Sequence, residues 1–136
     1  MSDKPQVYQL SIPSSRKNIN LVEEFFRSMN DKFGLPDEKL HALLVSVTEA
    51  VNNGIIHGNK NDERKAVLLR CSMKGKTLTV KIKDEGEGFK PDAVANPLHE
   101  DNLLATGGRG VFLMKAFMAS VKYNAKGNEV TMVMKL

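Results

Sequence analysis

One cysteine, no tryptophan and few aromatic residues (6% of the chain) are the scarcest features of this 136-residue sequence. With Cys71 alone, no internal disulfide can form, and a cysteine-based metal site is ruled out. Aromatic poverty argues against a nucleic-acid surface, which leans on stacking rings and clustered basic side chains. No segment approaches the ~18 uninterrupted apolar residues of a membrane span, and the start MSDKPQVYQL lacks an apolar signal core. Strong charge of one sign is missing too: 20 basic residues against 16 acidic ones leave +4. What is present is 41% hydrophobic and 26% charged residues, enough for one soluble domain with a real core over residues 1–136. These features together predict a cytoplasmic protein with no direct nucleic-acid or membrane role.

Periodicity places the elements. Tyr8, Leu10 and Ile12 alternate with polar residues, as in a half-buried strand. Pro13-Ser14-Ser15 offers a cap for a helix whose stripe is Val22, Phe25, Phe26, Met29 and Phe33, and Gly34 ends it. Pro36-Asp37-Glu38 opens a second helix, with Leu40, Leu43, Leu44, Val47, Val51, Gly54 and Ile55 at helical spacing. Asn59 to Asp62 reads as a turn. Val67 to Met73 and Leu78 to Ile82 alternate around Lys74-Gly75-Lys76 and predict a hairpin. A long irregular stretch runs from about Lys90 to Gly108, then a short helix from Val111 to Met118. Two last strands, near Val121–Asn124 and Val130–Leu136, turn at Lys126-Gly127-Asn128. This order predicts an α/β (α+β) two-layer sandwich: a mixed, mainly antiparallel sheet with helices on one face.

Three polar clusters interrupt the pattern. In EAVNNGIIHG, Glu49 and Asn53 lie four residues apart and so share one helix face, opposite the apolar stripe. Asparagine and glycine are poor helix residues, and a solvated face would be built more cheaply from Lys, Gln or Ala. The Asn53 oxygen suits a hard cation such as Mg²⁺, and Glu49 one turn earlier suits a general base. His57 beside one acid and one amide gives too few soft ligands for zinc. In DEGEGF, Asp84 ends a strand and is followed by Gly86 and Gly88, so bare backbone there would approach a flat ligand while the acid accepts a hydrogen bond from an amine such as adenine's. In ATGGRGVFLMKAF, Gly107, Gly108 and Gly110 lead into a helix, and their amides with the helix dipole form a phosphate seat that Arg109 would reinforce. Neither glycine cluster is a Walker A loop or a dinucleotide fingerprint.

In this order the three clusters resemble the GHKL ATPases. More closely, EAVNNGIIHGN, DEGEGF and GGRGVFLMKAFM are similar to the small bacterial anti-sigma factor serine kinases, from about Tyr8 to Leu136. The resemblance implies ATP and Mg²⁺ as ligands. Asn53 would hold the metal, Asp84 would read the adenine amine, and Gly86 and Gly88 would let the base lie close. Thr106, Gly107, Gly108, Arg109, Gly110 and Val111 would wrap the phosphates, and Glu49 would take the proton from a substrate serine. The implied partners are a sigma factor and an anti-anti-sigma protein bearing that serine, with the kinase itself a homodimer. A nucleotide-gated binding protein without catalysis is the alternative. The helix from Ile19 to Phe33 is a candidate dimer surface, because Phe25 and Phe26 together exceed what one core needs. One departure stands out: where the family often has Gly-Thr, with a hydroxyl that helps hold adenine, this chain has Gly127-Asn128-Glu129. The expectation is that Asn128 replaces that hydrogen bond.

Overall fold

Strands whose side chains alternate in character can bury only one face, and five of them here share one sheet. The computed structural model describes residues 6–86 and 118–136. Strands β1 (Gln6–Pro13), β2 (Ala66–Lys74), β3 (Thr77–Lys83), β4 (Ser120–Tyr123) and β5 (Glu129–Lys135) are ordered β1-β2-β3-β5-β4. Every pairing among them is antiparallel. Register lines the apolar positions up in rows across the sheet. Tyr8, Cys71, Val80, Met132 and Val121 form one row, and Leu10, Leu69, Ile82, Val130 and Tyr123 the next.

Helices α1 (Ile19–Phe33) and α2 (Asp37–Asn53) cover that face, and their apolar stripes join the strand residues in one core. Val22, Phe26 and Met29 recur at helical spacing and are buried on α1. Every residue of the expected α2 stripe, from Leu40 to Ile55, is buried. Fully burying one such aliphatic side chain stabilises the fold by ~1.5–3 kcal/mol. Among the described residues no element covers the opposite face of the sheet, where Arg70, Lys81 and Lys122 are exposed. The two-layer arrangement is therefore the expected one.

Details at the helix ends differ. Ser14 and Ser15 do not cap α1. A single 3-10 turn, Arg16–Asn18, comes first, and Asn18 precedes α1 without a side-chain cap hydrogen bond. Ser14 is buried instead and donates to the Lys65 carbonyl at 2.6 Å. Gly34 does end α1, in the left-handed conformation at φ 69°, with its N–H on the Asn30 carbonyl. Phe26 is 1% exposed, and Phe25 packs edge-on against it at 5.3 Å between ring centroids. Phe26 belongs to the core, and Phe25 is half-buried against it. The exposed apolar residue of α1 is Leu21. The helix expected over Val111–Met118 lies outside the described residues apart from Met118, and the long irregular stretch lies outside them entirely.

Cys71 is fully buried in the sheet, and burial pushes its thiol up to about 12. A thiolate is the reacting species, so native protein is expected to leave Ellman's reagent unreacted at neutral pH and to release one equivalent only on unfolding. Rapid colour from the native protein would contradict the buried position.

Candidate functional site

At its C-terminal end α2 does not fray; it widens. Gly54–Gly58 forms a π-turn, closed by the Asn59 N–H on the Gly54 carbonyl at 2.8 Å. π-turns inside helices recur at functional sites, because they re-aim a short stretch of backbone. This one swings Gly58 against the loop that leaves β3. A Cβ placed on Gly58 would sit 2.3–2.5 Å from the Asp84 carboxyl atoms. A Cβ on Gly86 would sit 2.1 Å from the Gly58 carbonyl oxygen. Neither position has room for a side chain. The need for glycine at 86 therefore comes first from the protein's own helix end, ahead of any ligand.

Asp84 is clamped at this junction. Its N–H donates to the Asn128 carbonyl at 2.9 Å, and its own carbonyl accepts from Asn128 Nδ2 at 3.2 Å. Its Oδ1 accepts from the Gly86 N–H at 2.8 Å, while Oδ2 takes no hydrogen bond from a described residue. Burial raises the Asp84 carboxyl above the usual carboxylate range, against the Gly86 N–H and the charge of Lys126, which act to lower it. The strand end thus holds a half-buried, fixed carboxylate whose Oδ2 accepts from no described residue.

Two asparagines hold the clamp. Asn59 is 1% exposed. Its Oδ1 accepts from the Glu85 N–H at 2.7 Å, and its Nδ2 donates to Ser14 Oγ at 2.7 Å and to the Ala66 carbonyl at 3.0 Å. It ties the ends of β1, β2 and β3 to the end of α2. Asn124 Oδ1 accepts the backbone N–H groups of Gly127, Asn128 and Glu129, and its Nδ2 donates to Asn128 Oδ1 at 2.7 Å. The Asn128 carboxamide is therefore turned into the protein. It braces Asp84 and Asn124, and the expected replacement contact to adenine is not what its hydrogen bonds serve here.

Glu49 and Asn53 sit half-buried on α2, one turn apart as the spacing predicts. The Asn53 carboxamide has no hydrogen-bond partner among the described residues. No group of three or more His, Cys, Asp or Glu side chains converges on a metal position among those residues. A carboxamide oxygen such as that of Asn53 is a hard donor of the kind Mg²⁺ takes beside phosphate and water. Across from Glu49 lies Tyr123, at the end of β4. Burial and, secondarily, the Glu49 carboxylate push the Tyr123 hydroxyl up to about 12. His57 is exposed at the end of the π-turn. Gly88, Thr106, Gly107, Gly108, Arg109, Gly110 and Val111 lie outside the described residues. A groove of about 460 Å³ beside Phe33, Met73 and Leu136 is at the opposite end of the sheet from Asp84.

The structure thus brings Glu49, Asn53, Asp84 and Gly86 to one end of the molecule. Sequence reasoning missed Tyr123, Asn59 and Asn124, and it gave Asn128 a different role from the bracing one its hydrogen bonds show. The signal for Asn124 was its place three residues before a turn glycine, where an asparagine side chain folds back on the backbone.

Comparison with known proteins follows the same lines. A family model described as the histidine kinase-like ATPase domain matches residues 12–134. The chain is 24% identical to the serine-protein kinase RsbW of Bacillus subtilis, covering 97% of this chain and 87% of that one. It is 32% identical to an anti-sigma F factor of Clostridium perfringens over 72% of each chain. A crystal structure of the RsbU and RsbW domains of a Mycobacterium tuberculosis protein superposes with a TM-score of 0.67 at 11% identity. That match covers 95% of this chain but 31% of the larger one, and it speaks for the fold alone.

Proposed function

The chain belongs to the histidine kinase-like ATPase domain family, and on that premise we propose that residues 1–136 act as one cytoplasmic ATP-binding domain, a protein-serine kinase that also sequesters a sigma factor. The observation that carries this reading is the seat at Gly58, Asp84 and Gly86. There, close-packed glycines hold a carboxylate with one oxygen still able to accept. That arrangement suits the exocyclic amine of adenine. The names of the relatives, serine-protein kinase and anti-sigma F factor, support the rest.

In this reading Asp84 binds the base, with Gly86 and Gly88 beside it. Thr106, Gly107, Gly108, Arg109, Gly110 and Val111 enclose the phosphates. The Asn53 oxygen holds Mg²⁺, which when bound neutralises charge on the phosphate oxygens. The acceptor is a serine of an anti-anti-sigma protein. Its hydroxyl oxygen bonds to the γ-phosphorus, the bond to the β,γ-bridging oxygen breaks, ADP leaves, and Glu49 takes the serine proton. The second partner is the sigma factor, and the kinase works as a homodimer. None of these steps calls for nucleic acid or a membrane, and among the described residues no helix is long and apolar enough to cross one.

Calorimetry tests the ligand set. Wild type is expected to bind ATP with Mg²⁺. Asn53→Ala is expected to lose about tenfold or more of the metal-dependent affinity while binding metal-free ATP as wild type does. Absence of any heat with wild type, metal supplied, would overturn the reading.

Asp84→Asn separates ligand from fold. A carboxyl raised in the folded state gives stability that is fully present below the ordinary value of 3.8 and is lost as pH rises through the raised value. At neutral pH the ionised Asp84 therefore costs stability, and Asn keeps an Oδ1 for the Gly86 N–H. Asp84→Asn is expected to melt at or above the wild-type temperature at pH 7 and to lose that advantage near pH 4. ATP affinity is expected to fall about 10–100-fold, the size of a lost charged hydrogen bond. A variant that melts lower and binds ATP normally would refute both halves.

A further inference from the structure

Among the described residues, the face of the sheet turned away from the helices holds Arg70, Lys74, Lys81, Lys83, Lys122 and Lys135 against a single acid, Glu129. All six cations are exposed. This one face therefore carries +5, more than the whole chain's +4. The described ion pairs, Lys17 with Glu63 and Arg64 with Asp62, lie elsewhere.

Register sharpens the point. Arg70 stands directly opposite Lys81, Lys81 opposite Thr131, and Thr131 opposite Lys122. Like charges directly opposite across strands destabilise a sheet. A face that had only to stay soluble would alternate its signs, as Lys83 opposite Glu129 does. Gln9 extends the row onto β1, so it crosses all five strands. At the usual strand spacing that row is ~19 Å long, about the length of three to four turns of helix.

We propose that this open sheet face docks an acidic protein surface, in the form of a helix or strand with carboxylates along one side. Its short hydroxyls, Ser72, Thr79 and Thr131, suit close approach of a folded partner. Nucleic acid fits less well, because among the described residues no aromatic side chain lies on this face and five of its six cations are lysine. A second copy of the same face is opposed by like charge. The docking is independent of nucleotide chemistry, so this proposal and the kinase reading fail separately.

The test uses a fluorescent helical peptide with glutamates at i, i+4 spacing, a DNA duplex and phosphatidylserine vesicles, at low and physiological ionic strength. Wild type is expected to bind the peptide, and amide NMR shifts should centre on Arg70, Lys81 and Lys122. R70E/K81E is expected to weaken peptide binding about tenfold or more. R16E/R27E makes the same charge change on exposed positions of the helical side and is expected to weaken it by less than half that factor on a logarithmic scale. Both pairs are exposed, and matched melting temperatures check their folds. The proposal is overturned if peptide does not bind, if both pairs weaken binding equally, or if the shifts lie elsewhere. It is overturned as well if duplex or vesicles bind this face more tightly than peptide, or if the face is buried in a homodimer.

Discussion

Glu49→Ala is expected to lower phosphoryl transfer to the acceptor serine by roughly 10²–10⁴-fold while leaving ATP affinity within about twofold of wild type. Glu49 lies one helical turn before Asn53, on the same half-buried face. Asp84 and its clamp come after β2 and β3 in the chain and pack against the π-turn at Gly58. The proposed base and the proposed adenine contact are thus held by different parts of the site. A serine hydroxyl transfers its proton late in a loose phosphoryl-transfer transition state, so a base contributes to the rate and not to ground-state binding of ATP. Glu49→Gln keeps the shape and removes the basicity, and it should lose as much as the alanine variant. Radiolabelled transfer beside calorimetry on the same samples gives both numbers. A Glu49→Gln variant that transfers at the wild-type rate would remove Glu49 from the mechanism and leave the nucleotide-gated binding protein as the better account.

Much of this architecture was legible because apolar side chains leave a period. The α2 stripe from Leu40 to Ile55 and the alternation of Val67, Leu69 and Cys71 both follow from which face must leave water. Turn glycines were equally plain, and Gly34, Gly75 and Gly127 all take positive φ. What could not be read is where buried polar groups find partners, since these lie far along the chain. Asn59 looks like an ordinary turn residue, and only the fold reveals that it joins Ser14, Ala66 and Glu85. Ser14 looks like a helix cap, yet its hydroxyl is spent on Lys65, 51 residues away. Asn128 looks like a stand-in for the family threonine, but its carboxamide is engaged with Asp84 and Asn124. In each case a local propensity was outbid by a long-range hydrogen bond that a buried group must make.

Gly86 shows the same thing from the opposite direction, and substituting it should have the largest effect on the pocket as a whole. Gly86→Ala puts a methyl group 2.1 Å from the Gly58 carbonyl oxygen, 2.6 Å from its carbonyl carbon and 2.9 Å from Asp84 Oδ1. Two of those atoms are backbone, fixed by the π-turn, and cannot rotate away. The loop must lift off the helix end, and the Gly86 N–H then leaves Asp84. Overpacking of this kind costs ~1–3 kcal/mol or more, and it displaces Asp84, the carboxylate proposed to bind the base. The expected result is a lowered melting temperature together with a loss of ATP affinity of about 10²-fold or more. Gly54→Ala is the control. Its methyl would meet Asp84 Cβ and Val67 at 3.5 Å, ordinary contact, and alanine in place of glycine stabilises a helix by ~1 kcal/mol. Gly54→Ala should therefore melt at or above wild type and bind ATP normally. If Gly86→Ala binds ATP as wild type does, the helix end and the strand end are not locked together as described, and the seat assigned to adenine lies elsewhere.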